Sequence, residues 1–234
     1  MLMKRTKLYA SLVMMSLLLS AGLTATAQDD ESVLDIGADI MSRYVWRGTD
    51  FGGSPSIQPY IELGLGSLSI GAWGAYTTNK SAGQEMDLYA TYSIMDMFSV
   101  TVTDYFFPDE FSGYNYFEFN ADSGSLHIIE GAVSFDGTDN LPLSVMAAYN
   151  LVNDESFYLE LGYSFPFMDV FLGAGNGFYT VEDPGDDDKF GIVNLGISTS
   201  REIPITEKFS LPLSASLICN PNAKGIHLVF GISF

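Results

Sequence analysis

From residue 33 to the end, the sequence is written in a period of two. In Val33–Arg47, Leu34, Ile36, Ala38, Ile40, Tyr44 and Trp46 fall on one side of an extended chain, and Asp35, Gly37, Asp39, Arg43 and Arg47 on the other. Successive side chains of a strand point to opposite faces, whereas a helix repeats about every 3.6 residues. The stretch therefore reads as strand with one greasy and one charged face. Ile57, Ile61, Leu63 and Leu65 oppose Gln58, Tyr60 and Glu62 in the same way. Met86, Leu88, Ala90 and Tyr92 oppose Glu85, Asp87, Tyr89 and Thr91. Further on, Val193, Leu195 and Ile197 oppose Ile192, Asn194 and Ser198, and Ile226, Leu228, Phe230, Ile232 and Phe234 oppose His227, Gly231 and Ser233.

Two architectures use such alternation. A soluble sandwich or lipocalin-like barrel turns the greasy face inward; a membrane barrel turns it outward to lipid and keeps a wet interior. The second fits better. The greasy face carries almost no charge, while the other mixes acids with Gly, Ser, Thr and Tyr. The segments run about nine to eleven residues, enough for a tilted strand to cross a bilayer. Lipid offers no hydrogen bonds, so spanning strands must close on themselves. Tyr44-Val45-Trp46, Tyr76, Tyr92, Tyr105-Phe106-Phe107 and Tyr163 lie near strand ends, as interfacial aromatic girdles do.

The start of the chain supports export. Lys4, Arg5 and Lys7 form a basic n-region, Leu8–Leu19 an apolar core, and Ala25-Thr26-Ala27 a small-residue cleavage site. This predicts a signal peptide over 1–27 and a barrel over 28–234. Removing it takes three of the ten basic residues and none of the 29 acids, leaving a net charge of −22. So acidic a chain is not a nucleic-acid binder. A single cysteine, Cys219, forms no internal disulfide, so packing must hold the chain.

Thirteen segments alternate: 33–47, 56–66, 68–77, 85–94, 97–107, 114–121, 126–135, 142–151, 156–165, 168–179, 189–200, 208–219 and 225–234. Single-chain bacterial barrels have an even number, with short turns on one rim and longer loops on the other. Counting from both ends, loop lengths agree if 114–121 belongs to a long outer loop. The expected fold is all-β, a closed antiparallel transmembrane barrel of twelve strands, with fourteen as the alternative.

Ser42-Arg43-Tyr44-Val45-Trp46-Arg47-Gly48, then Pro55-Ser56-Ile57-Gln58-Pro59, and later Leu159-Glu160-Leu161-Gly162-Tyr163-Ser164, make a pattern. It resembles the TorF-type porins, exported barrels that open on a Ser-x-Tyr-x-x-Arg-Gly strand followed by Pro-x-Ile-Gln. The resemblance runs along nearly the whole mature chain. It implies an outer-membrane location and a pore, and it supplies no catalytic residues.

On these parities Asp35, Asp39, Glu62, Asp87, Glu130 and Glu160 point to the lumen together with Arg43 and Arg47. Acids facing arginines across a wet pore make a transverse field, and an excess of acid favours cations. The expected function is a porin-like channel for small polar solutes or ions with weak cation preference. The alternatives are a plugged structural or adhesin-type barrel, in which the same charges pair across the wall, and an outer-membrane lipid hydrolase. Only His127 and His227 are available as bases, and no serine motif accompanies either, so no enzyme is expected. Neither histidine has a partner at metal-ligand spacing, and no cofactor or metal is expected. Asp183-Pro184-Gly185-Asp186-Asp187-Asp188 reads as a solvated turn before it reads as a calcium loop. The expected partners are outer-membrane lipid, small polar solutes or ions, and the barrel-assembly machinery through the strand ending in Phe234.

Overall fold

A computed structural model describes residues 33–79, 83–95, 97–108, 115–119, 125–138, 140–181, 189–207 and 209–234. The segment assigned to a signal peptide and the Asp183–Asp188 loop lie outside the described residues. The chain forms β1 Val33–Met41, a small hairpin of β2 Val45–Trp46 and β3 Thr49–Asp50, then β4 Ser56–Leu65, β5 Leu68–Thr77, β6 Glu85–Ile94 and β7 Phe98–Phe106. It continues through β8 His127–Phe135, β9 Leu143–Val152, β10 Phe157–Ser164, β11 Asp169–Gly175, β12 Gly191–Pro204, β13 Ser210–Asn220 and β14 Gly225–Ser233.

Setting β2 and β3 aside, twelve strands close into one antiparallel barrel, each paired with its sequence neighbours and β1 with β14. No helix among the described residues is long and apolar enough to cross a membrane. The segment around 114–121 contributes no wall strand: Asn115–Phe119 is turn and irregular chain.

The greasy face points out. Ile36, Ile57, Ile61, Ile70, Val102, Leu195, Leu228 and Phe230 are all exposed on the outer wall, as are Tyr76, Tyr92 and Tyr163. The inward face carries Asp35, Asp39, Gln58, Glu62, Asp87, Glu130, Glu160 and Asn194. Inward aromatics lie over glycines of the next strand: Tyr60 is paired with Gly37 and Tyr89 with Gly71, and a β-carbon at either glycine would collide with the ring. Small residues on the inner face thus make room for large ones beside them.

Three predicted segments differ. The 33–47 run is not one strand: β1 ends at Met41 and the chain turns into the lumen, so Tyr44 and Trp46 are 2% exposed and belong to the core, not to a lipid girdle. Tyr105 is likewise internal, and Phe106 is buried against His127. The 168–179 run splits into β11 and a short 3-10 turn, Gly177–Tyr179, which places Tyr179 in the lumen. In β12 the register against β11 shifts between Gly173 and Ala174, so Ile192 faces out while the adjacent Val193 and Asn194 are both buried. A bulge inserts one residue and reverses the parity beyond it, which is why alternation alone assigned Ile192 and Val193 to the wrong sides.

Candidate functional site: a hairpin inside the barrel

The lumen is crossed by the chain that leaves β1. Trp46 pairs with Thr49, so Arg47-Gly48 is a two-residue turn, and both residues have positive φ, 47° and 81°. Those are the signs a type I′ turn requires. Arginine is uncommon in this region, and an occupied strained position must be held by its surroundings. Gly48 is needed twice over. Its φ favours glycine, and an added β-carbon would lie 2.9 Å from the Val193 carbonyl carbon. Asn220 Nδ2 donates to the Gly48 carbonyl at 3.3 Å, and Phe51 N to the Tyr44 carbonyl at 2.9 Å.

The turn holds the Arg47 guanidinium in the middle of the barrel. It makes a two-pronged pair with Glu130, with Nη2 3.0 Å from Oε1, and Nη1 donates to Tyr179 Oη at 2.6 Å. The two side chains are only 4% and 3% exposed. The guanidinium lies 4.3 Å from the Tyr158 ring centre and 4.6 Å from that of Trp46. Tyr105 donates to Glu130 at 3.0 Å. Trp46 packs on Tyr105 and Tyr179, and Tyr44 on Phe51 and Trp73. This aromatic plug fills the half of the lumen away from the rim that carries both ends of the barrel.

The hairpin is tethered at its base. Arg43 pairs with Asp50, and Asp50 also accepts from the amides of Gly53 at 2.8 Å and Gly52 at 3.2 Å. Burial pushes the Asp50 carboxyl up, but the Gly53 amide, Arg43 and the Gly52 amide outweigh it and hold it below its usual value. Tyr44 donates to Glu85 at 2.6 Å, and burial, Glu85 and Asp87 push its phenol well above its ordinary value, so it stays a donor.

All eight residues assigned to the lumen face inward, but they do not form one ring. Arg47 and Glu130 make the central pair. Glu160 accepts from Tyr158 and from Asn194 at 2.8 Å. Glu62 accepts from Tyr89 at 2.9 Å, opposite Asp35 in the register. Asp87 sits beside Glu85, and both act on the Tyr44 phenol. Asp39, Arg43, Arg47 and Glu160 line a common cavity of about 140 Å³. Reading along the chain missed Tyr44, Trp46 and Tyr179 as lumen residues. The available signal was Arg47-Gly48 itself, a two-residue turn pair at the end of an apparent strand.

His227 faces inward, 3.9 Å from Asp50. His127 lies outside the plug: Nδ1 meets Asp104 at 2.7 Å, Nε2 meets the Tyr116 carbonyl at 2.7 Å, and Phe119 stacks on the ring. Both ring nitrogens are engaged, leaving neither free to take a proton from a serine. No group of three or more His, Cys, Asp or Glu side chains suited to a metal occurs among the described residues.

The fold and its interior define a closed twelve-stranded antiparallel barrel plugged by its own hairpin. The chain belongs to a bacterial family of unknown function, Gcw_chp, whose profile matches residues 26–210. No curated protein and no solved structure matches it. The match does not support the TorF-type porin naming, and it attaches no pore activity to the chain.

Proposed function

We propose that this protein is an outer-membrane barrel that passes small polar cations and that the Tyr44–Asp50 hairpin holds it closed. One observation carries the reading: the same twelve strands present an apolar face outward and an acid-rich face inward. Such an outer wall is unstable in water and suits hydrocarbon. In this arrangement the rim bearing Val33 and Phe234 faces the periplasm, and the hairpin closes the outer half. The two lumen arginines are each matched by a carboxylate, Asp50 and Glu130, so the remaining inward acids set the sign of the field.

The hairpin makes the path narrower than a general porin's and favours a gated channel over a permanently open one. A plugged structural barrel is the second reading, favoured by how completely Arg47 and Glu130 are buried. Planar-bilayer recording of the refolded protein under a salt gradient tests both. Stepwise currents with a reversal potential on the cation side are expected. Anion selectivity refutes the lumen assignment. Silence at every potential, in wild type and in hairpin variants alike, selects the structural barrel.

A further inference from the structure

Beneath the hairpin, on the side of the rim with the chain ends, the cavity has a chemistry the plug does not use. Its polar wall includes Asp39, Asp169 and Asn194, and the Oδ1 atom of each is buried without a hydrogen-bond partner. Asp169 and Asn194 are each 6% exposed. Buried acceptors left unpaired are costly and mark places where something else supplies the donors. The charges are equally unbalanced. Arg43 and Arg47 reach this cavity, but each is committed to another carboxylate, Asp50 and Glu130. Among the described residues no lysine, arginine or histidine pairs with Asp39 or Asp169.

The rest of the lining narrows the class of ligand. Met41, Phe171, Ile218 and Val229 form an apolar wall. A bare metal ion gains nothing from such a wall and prefers a cage of oxygens. A neutral polyol leaves two carboxylates uncompensated, and a quaternary ammonium brings charge but no N–H. The volume holds about five waters, room for a short aliphatic chain.

We infer that this cavity is a binding site for a small primary ammonium compound, its N–H groups donating to Asp39, Asp169 and Asn194 and its methylenes lying on Met41, Phe171 and Ile218. The site stands on its own geometry and holds whether or not the barrel conducts.

Calorimetric titration of the purified protein in detergent micelles tests it, with 1,4-diaminobutane as the probe. Saturable binding at one site is expected, with no comparable binding of 1,4-butanediol, tetramethylammonium or magnesium chloride. Asp169→Asn and Asp39→Asn each remove a charge-assisted contact and are expected to weaken binding about ten- to a hundredfold. Glu155→Gln, at an exposed loop position, leaves it unchanged. Ser216→Leu fills the cavity without altering charge and is expected to abolish binding, which guards against a carboxylate variant that fails to fold. Equal binding of butanediol or tetramethylammonium, binding of magnesium alone, no saturable binding at all, or wild-type affinity in folded Asp169→Asn and Ser216→Leu overturns the proposal.

Discussion

Replacing Arg47 by methionine tests whether the hairpin is a gate. The substitution keeps an unbranched apolar stem and removes the guanidinium. Glu130 then remains buried, 3% exposed, with only the Tyr105 and Tyr179 hydroxyls to solvate it. Removing one partner of a buried pair costs about 3–5 kcal/mol, because the other charge is left uncompensated. The lost approach to the Trp46 and Tyr158 rings adds roughly 0.5–2 kcal/mol. That penalty falls on the docked hairpin and not on the strand ladder. At about 1.4 kcal/mol per tenfold, even the lower figure moves the docked-to-undocked ratio on the order of a hundredfold. In single-channel recording, Arg47→Met is expected to raise the open fraction by that order. Adding Glu130→Gln removes the stranded charge and should restore much of the closure, a non-additivity readable as a double-mutant cycle. If Arg47→Met leaves both closure and thermal unfolding as in wild type, or if the double variant is no better closed than the single one, the Arg47–Glu130 pair does not hold the plug.

Gly48→Ala sets a side chain at φ 81° against the Val193 backbone and should cost about 1–3 kcal/mol, seen as faster proteolysis of the hairpin in the micelle-bound protein. Because the folded Asp50 carboxyl lies below its usual value, its contribution is fully present above the unfolded value of about 3.9 and is lost as pH falls through the lower, folded one. Unfolding followed from pH 5 downward should therefore show a loss of stability below about pH 4 that Asp50→Asn abolishes; an unchanged profile in that variant removes Asp50 from the tether. On the outer wall, Ile61→Arg should cost about 2–4 kcal/mol in folding into lipid vesicles, whereas Thr91→Lys, facing the lumen, should fold normally and lower cation conductance; equal folding yields would contradict the assigned faces.

The barrel was legible because its signal is repeated. Each strand states its own faces, and a slip of one residue would move a whole set of Ile and Leu side chains from lipid to lumen. Twelve segments agreeing leave little freedom, and the even-strand rule disposed of Asn115–Phe119 before any geometry was known. In one strand the pattern misled by a single inserted residue. At β11–β12, Val193 and Ile192 exchange sides because Gly173 and Ala174 tolerate a register shift that apolar alternation does not record.

The interior was legible in composition and not in arrangement. Alternation says that Arg47 and Glu130 face inward, but they are 83 positions apart, and no local rule brings them together. The period itself concealed the hairpin. Tyr44 and Trp46 continue the greasy parity of Ile36 and Ile40, so a strand passing straight on and a chain turning into the lumen read alike. What separates them is backbone: an Arg-Gly pair with both φ angles positive reverses the chain, and it does so only because Val193, Asn220 and Glu130 wait on the far side to hold it. Acids on an inner wall are permitted by the period of two. Which of them stay without a cationic partner, as Asp39 and Asp169 do, depends on where the two lumen arginines are drawn. The hairpin therefore decides both properties of the lumen. By taking Arg43 and Arg47 to Asp50 and Glu130, it fills the half of the lumen away from the chain ends and leaves the other half short of positive charge.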